Sequence, residues 1–145
     1  MKERVMSAAK HILKTLTDAG FRLTPVRRTL VGIIAHAKQP MERNAIEEKL
    51  AKSGLTPDRT TLYRELLFLE EEKIISKLTF GTEVRYELRS EEHHHHLYCT
   101  ECGDITCFPL KNDLAVIESL IAAQANFQVE SHLLEFFGKC EGCRN

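Results

Sequence analysis

Apolar residues recur at helical spacing through most of the first half of the chain. Val5, Ala9, Ile12, Leu13 and Leu16 fall on one face of a helix predicted over about residues 5–18, which Gly20 ends. Thr24-Pro25 opens a second helix, with the threonine as N-cap and the proline at the first helical position. Leu30, Ile33 and Ile34 carry that helix to about Ala37, and Gln39-Pro40 breaks it. A third helix is predicted over about Arg43 to Lys52, burying Ile46 and Leu50 and ending at Ser53-Gly54. The fourth starts at Asp58, which can cap Thr61, and runs to about Lys73 with Leu62, Leu66 and Leu69 as its core stripe.

The period then changes. Residues 74–79 and 83–88 read as strands around Phe80-Gly81-Thr82, a short Gly-containing turn. Helices followed by a hairpin outline a winged helix-turn-helix, with the third and fourth helices as the helix-turn-helix pair. The polar residues Arg89-Ser90-Glu91-Glu92 make a boundary between a domain at 1–88 and one at 89–145. In the second, short strands are expected near 94–98 and 105–108, a helix at about 111–124 and a strand at about 127–137. The fold class is therefore α+β: a winged-helix lobe followed by a small α/β lobe.

Composition sharpens this picture. The first 80 residues carry 15 Lys/Arg against 10 Asp/Glu; residues 81–145 carry 5 against 11. A basic lobe suits an anionic partner and an acidic lobe suits metal. The charged start Met1-Lys2-Glu3-Arg4 has no apolar signal-peptide core, and no apolar run reaches membrane-spanning length, so the expected location is the cytoplasm, with no membrane partner. There, paired cysteines favour metal over disulfide.

Those pairs are Cys99/Cys102 and Cys140/Cys143. Each C-x-x-C lets two thiolates grip one ion from a tight turn, and two pairs complete a closed tetrahedral zinc site. With all four positions taken by sulfur, no place is left for water or substrate, so the zinc is structural. Just ahead lies His93-His94-His95-His96. In an extended segment alternate side chains face opposite ways, so one strip can serve two metal sites. On the fourth helix Arg59, Thr60, Tyr63 and Arg64 lie away from the leucine stripe; such side chains reach phosphates and base edges in the major groove. Arg27, Arg28 and Lys77 are further candidates for phosphate contact. No His-Glu-x-x-His is present, nor a Pro-Cys-x-x-Cys paired with His-x-Glu, and neither cysteine pair leaves an open coordination position, which argues against a zinc hydrolase or deaminase; the chain is not expected to be an enzyme.

Along nearly its whole length the chain resembles the ferric uptake regulator family. The carriers are Leu23-Thr24-Pro25-x-Arg27, Thr61-Leu62-Tyr63-Arg64-x-Leu66, Tyr86-Glu87-Leu88, His93 to Leu97 followed by Cys99-x-x-Cys102-Gly103, and the final cysteine pair. The resemblance implies a winged-helix DNA-binding lobe, a dimerisation lobe, a structural zinc in many members, and metal-gated binding of a homodimer to a palindromic operator. Carried over by position, it implies a sensory site between the lobes from Glu87, His94 and His96, and a second-lobe site from His93, His95 and His132.

Three positions depart from the family pattern. Pro40 stands where the sensory site usually takes a histidine; His36 is nearby. Cys107 replaces a sensory carboxylate, and a thiolate there shifts preference towards zinc or other thiophilic metals; it also reads as a small buried core residue. Ala115 aligns with the second-lobe carboxylate, for which Glu118 is the substitute. The expected regulatory metal is Fe2+ or Zn2+, with Mn2+ also compatible. Two alternatives share the fold: a peroxide or redox sensor working through oxidation of a histidine or Cys107, and a constitutive DNA-binding protein whose zinc is purely structural.

Overall fold

The structure, a computed structural model, describes residues 2–89, 94–109, 114–132 and 134–144, the first five of them as backbone. The chain divides into two compact units, Met1–Arg89 and Ser90–Asn145. The polar stretch 90–92 and the expected helix start at 111–113 lie outside the described residues.

In the first unit α1 (Lys2–Asp18) and α2 (Pro25–Ala35) are followed by a two-residue strand β1 (Met41–Glu42), α3 (Arg43–Lys52), α4 (Arg59–Glu71) and the hairpin β2 (Ile75–Phe80) and β3 (Glu83–Leu88). The predicted caps are made. Thr24 Oγ1 accepts from Arg27 N at 3.1 Å, and Asp58 Oδ1 accepts from Thr61 N at 2.9 Å. Each satisfies an orphan donor of a first helical turn. α2 stops two residues before its predicted end, where the His36 backbone N–H closes back on Gly32 O.

The hairpin has antiparallel register from Ile75↔Leu88 to Phe80↔Glu83, and Gly81 holds its turn at φ 62°. β1, which sequence periodicity did not indicate, adds to the other side of β3 through Met41↔Tyr86 and Glu42↔Arg85. A two-residue strand carries no period to read. Arg85 fixes it, with Nη2 3.0 Å from Glu42 and 3.0 Å from Glu83.

The core of this unit is Leu16, Leu30, Val31, Ile34, Ile46, Leu50, Leu62, Leu66, Leu69 and Ile75, all 2% exposed or less. Each stripe leucine buried this fully contributes about 1.5–3 kcal/mol by removal from water. The predicted stripe on α4 is therefore its inner face, and its opposite face is outward.

The second unit is built on a three-stranded sheet of order β5-β4-β6, with β4 at His95–Cys99, β5 at Ile105–Phe108 and β6 at Glu135–Gly138. β4 and β5 are antiparallel, while β4 and β6 are parallel. α5 spans Ala115–Ala125. The strand predicted over 127–137 is confined to β6; residues 127–132 have no ladder among the described residues. α5 buries none of its residues, and Val116, Ile117, Leu120 and Ile121 are exposed, as are Phe127 and Phe137.

Candidate functional site

The cysteine cluster is assembled by the parallel pairing of β4 with β6. Cys99 ends β4 opposite Gly138, so Cys140 follows two residues beyond its register partner. Thr100 N donates to Gly138 O at 2.8 Å, tying the two strand ends together. Gly103 closes the first knuckle: its N–H donates to Cys99 O at 2.9 Å with φ at 71°, a left-handed conformation that suits glycine. The second knuckle is a short 3-10 turn over Glu141–Cys143, with Cys143 N donating to Cys140 O at 3.0 Å.

The four sulfurs of Cys99, Cys102, Cys140 and Cys143 all lie within 4.8 Å of one another. Cys102 Sγ and Cys140 Sγ are 3.8 Å apart. A tetrahedron with zinc–sulfur distances of about 2.3 Å has sulfur–sulfur edges of about 3.8 Å. That spacing fits zinc and is far from the roughly 2.05 Å of a disulfide. The electrostatics agree. Backbone N–H groups of Cys102 and Cys140 directed at Cys99 lower its thiol pKa to about 6, while hydrogen bonding with the Cys140 and Cys102 sulfurs pushes Cys143 up to about 12. One sulfur is prepared as a thiolate, and four so close resist ionising together unless a cation lies among them. This cluster is the set expected to hold a structural zinc.

On the same sheet, His94, His96 and Cys107 form a second group whose ligand atoms lie within 4.8 Å of one another. His96 and Cys107 are direct cross-strand partners in the β4/β5 ladder. The rings of His94 and His96 meet edge to face with centroids 5.0 Å apart. Cys107 is exposed, so its reading as a buried core residue does not hold; Ile105, two residues earlier, fills the core position at 0% exposure. Glu87, half-buried near the end of β3 in the first unit, pairs with Ser76 across the hairpin.

The other face of β4 carries His95, which is buried, and its Nδ1–H donates to Leu134 O at 3.1 Å. Its ring stacks on His132 at 5.8 Å between centroids, and His132 Nδ1 lies 2.8 Å from Glu118 Oε1. Three of the four residues expected at the second-lobe site are thus linked in a chain of contacts; His93 lies outside the described residues. Glu118 lies on the first turn of α5.

In the first unit Arg59, Thr60, Tyr63 and Arg64 all face outward on α4, with Tyr63 57% exposed beside the wholly buried Leu62. Arg28 and Lys77 are exposed, but Arg27 is not available to a phosphate. Its Nε and Nη2 make a two-pronged bond to Glu65 at 2.7 and 3.2 Å, and its Nη1 donates to Arg22 O at 2.9 Å. Its guanidinium also lies 3.7 Å over the Phe68 ring. Sequence reading missed this α2–α4 clamp because the partners are 38 residues apart. Pro40 is buried just ahead of β1, and His36, exposed, is held to Gly32 O at 2.7 Å.

A winged helix with a polar outer face on its last helix, joined to a small sheet lobe with a preformed four-thiolate cluster, defines a metal-binding protein of the winged-helix class. The profile of the ferric uptake regulator family matches residues 18–137. The chain belongs to that family. It is 34% identical over 142 residues to the ferric uptake regulation protein of Bacillus subtilis (strain 168), covering 91% of each chain. It is 31% identical over 139 residues to the peroxide operon regulator of the same organism, covering 92% of each. Among solved structures it matches the ferric uptake regulator of Helicobacter pylori with a TM-score of 0.81, covering 97% of this chain and 94% of that one; at 22% identity, this likeness is one of fold.

Proposed function

We propose that this chain is a homodimeric, metal-responsive repressor that binds a palindromic site in double-stranded DNA. The observation that carries the reading is α4: three leucines wholly or almost wholly buried on one side, and Arg59, Thr60, Tyr63 and Arg64 presented on the other. A winged helix places the N-terminal part of such a helix in the major groove. Arg64 and Arg59 suit guanine or phosphate, Thr60 and Tyr63 a thymine methyl or a backbone oxygen. The apolar outer surface of α5 supports the dimer, since a helix bearing Val116, Ile117, Leu120 and Ile121 in water gains by docking on a second copy.

Regulation is assigned to His94, His96 and Cys107 with Glu87 as the ligand supplied by the first unit. Metal bound there favours the arrangement in which both recognition helices match the operator. Linkage then requires DNA to raise metal affinity by the same factor, about 5–150-fold for coupling of 1–3 kcal/mol. The four-thiolate zinc holds the second lobe together, and His95, His132 and Glu118 offer a further site whose occupancy tunes that lobe.

The test starts with elemental analysis of the purified protein. Duplexes are then selected from a random library with Fe(II), Zn(II) or Mn(II) present, and binding of a labelled selected duplex is followed by anisotropy as each metal is titrated. One tightly held zinc per chain and DNA affinity that climbs with a second metal are expected. DNA binding indifferent to every metal beyond the first zinc would leave a constitutive DNA-binding protein instead.

A second reading, a peroxide sensor, is favoured by the exposed Cys107 thiol beside His94 and His96 and by the similarity to a peroxide regulator. It requires that peroxide doses which release DNA also oxidise Cys107 or a histidine, as read by mass spectrometry.

A further inference from the structure

We propose that the groove between α2 and α3 is a binding site for a small organic anion, a carboxylate or phosphate carried on an apolar body. The site lies wholly within the first unit, uses none of the metal ligands, and goes beyond the regulator reading.

The two helices border a cavity of about 520 Å3. Small-molecule sites span roughly 300–1,000 Å3. Its floor comes from α2, where Thr29, Gly32 and Ile33 are half-buried, and His36 stands at one end. The spacing i, i+3, i+4, i+7 puts these four on one stripe of the helix. Leu30, Val31 and Ile34 turn to the core instead, so the stripe is a second face flanking the buried one. The facing rim is the last turn of α3, with Lys49 and Lys52 both exposed. No aspartate or glutamate lines the cavity.

Gly32 marks the floor. Glycine is among the poorest residues for a helix interior. Packing does not call for it here, because a Cβ at this position would meet nothing within 4 Å. The missing side chain leaves the groove open. The Gly32 carbonyl also accepts from His36 Nδ1–H at 2.7 Å, which fixes the imidazole at the groove's end.

Charge and shape together specify the occupant. Among the described residues neither Lys49 nor Lys52 is ion-paired, so two positive charges face a groove with no carboxylate in it. That arrangement attracts an anion. Cations also suit the negative end of α3, but a dipole role gives no reason for a half-buried floor opposite them. A nucleic-acid backbone would use the lysines and leave Gly32 and Ile33 uncovered. An anion with an apolar body uses both.

The experiment uses the full-length, zinc-loaded protein labelled with 15N, followed by amide chemical shifts at fixed ionic strength. The probes are phenyl phosphate, 3-phenylpropionate, inorganic phosphate and phenol, each added alone. At least one of the two aromatic anions should saturate one site per chain below about 1 mM, with shifts centred on residues 29–36 and 49–53. It should bind at least about tenfold more tightly than inorganic phosphate or phenol, and the tighter of the two names the head group. Gly32→Leu should abolish those shifts while melting no lower than the parent, since leucine is the better helix former. Lys49→Gln combined with Lys52→Gln should weaken binding by about three- to tenfold, as expected for exposed charges. Three results overturn the site: no saturation by either aromatic anion, inorganic phosphate binding as tightly as both, or affinity unchanged in Gly32→Leu. A fourth comes from anisotropy on a selected duplex. If the double lysine variant loses about 1.8 from its log K against log salt slope, the lysines belong to the DNA backbone and the small-anion site is lost. The shift titration contains neither DNA nor added metal, so failure of the regulator reading leaves this site standing and failure of this site leaves that reading untouched.

Discussion

Replacing Glu65 with alanine tests whether α4 is set by an internal clamp. Arg27 and Glu65 keep only 13% and 12% side-chain exposure, and Glu65 accepts from both Nε and Nη2 of the guanidinium. Removing the carboxylate leaves a charge that is mostly out of water with only Arg22 O and the Phe68 ring for company. Breaking one side of a buried pair costs about 3–5 kcal/mol; the residual exposure of this one argues for the lower end, about 3 kcal/mol. For a domain of this size about 1 kcal/mol moves the midpoint by about 4–8 °C, so thermal melting followed by circular dichroism should fall by about 12–24 °C. Arg27→Met combined with Glu65→Leu removes both charges and keeps apolar volume over Phe68, so most of that loss should be recovered. The double variant should also bind a selected duplex with an unchanged salt dependence, because the Arg27 guanidinium is taken up by Glu65 and Arg22 O. Two results would refute the reasoning: a Glu65→Ala melt within about 1 kcal/mol of the parent, or a double variant whose log K against log salt slope drops by about 0.9, the signature of one lost phosphate contact.

Other expectations follow from exposure, capping and ligand count. Tyr63→Ala and Arg64→Ala should each weaken binding to a selected duplex by about 1–3 kcal/mol, roughly tenfold or more, while stability stays within about 0.5 kcal/mol because both side chains face outward. Unchanged affinity in both would remove α4 from the interface. Cys102→Ser should strip the zinc and melt the β4–β6 pairing, seen as lost zinc by elemental analysis and lost amide protection over 95–99 and 135–138; full protection without zinc would show that the sheet stands alone. Asp58 accepts from the hydroxyl and then the backbone N–H of Thr61, which lower its pKa below 3.8. A depressed folded pKa means the cap's contribution is full above the unfolded value and fades as pH falls through the folded one. Asp58→Asn should therefore lower stability most at neutral pH and progressively less as pH falls below about 4, which flattens the acid side of the profile; a parallel displacement at all pH values would contradict this.

Much of this protein is determined locally. Thr24-Pro25 and Asp58 start helices because their caps act within three residues, and Leu62, Leu66 and Leu69 mark a buried face because helical spacing alone aligns them. Each C-x-x-C declares a metal-binding turn for the same reason: the geometry spans four residues. The alternation of the histidine run likewise separated His94 and His96 from His95 once the segment was extended. Tertiary structure decided what depends on partners distant in sequence. Parallel pairing of β4 with β6 brings Cys140 to Cys99 across 41 residues. The β4/β5 register sets Cys107 opposite His96 and leaves the suspected core cysteine exposed. The clamp between α2 and α4 withdraws Arg27 from the exposed basic charges, which composition cannot reveal because a paired and a solvated arginine read the same. β1 exists only because β3 has a free edge for two residues, too few to carry a period. Local spacing chose the elements and the chemical type of each site; which side chains meet was left to strand register and helix packing, where burial and hydrogen bonding across long loops outweigh anything a short window of residues can specify.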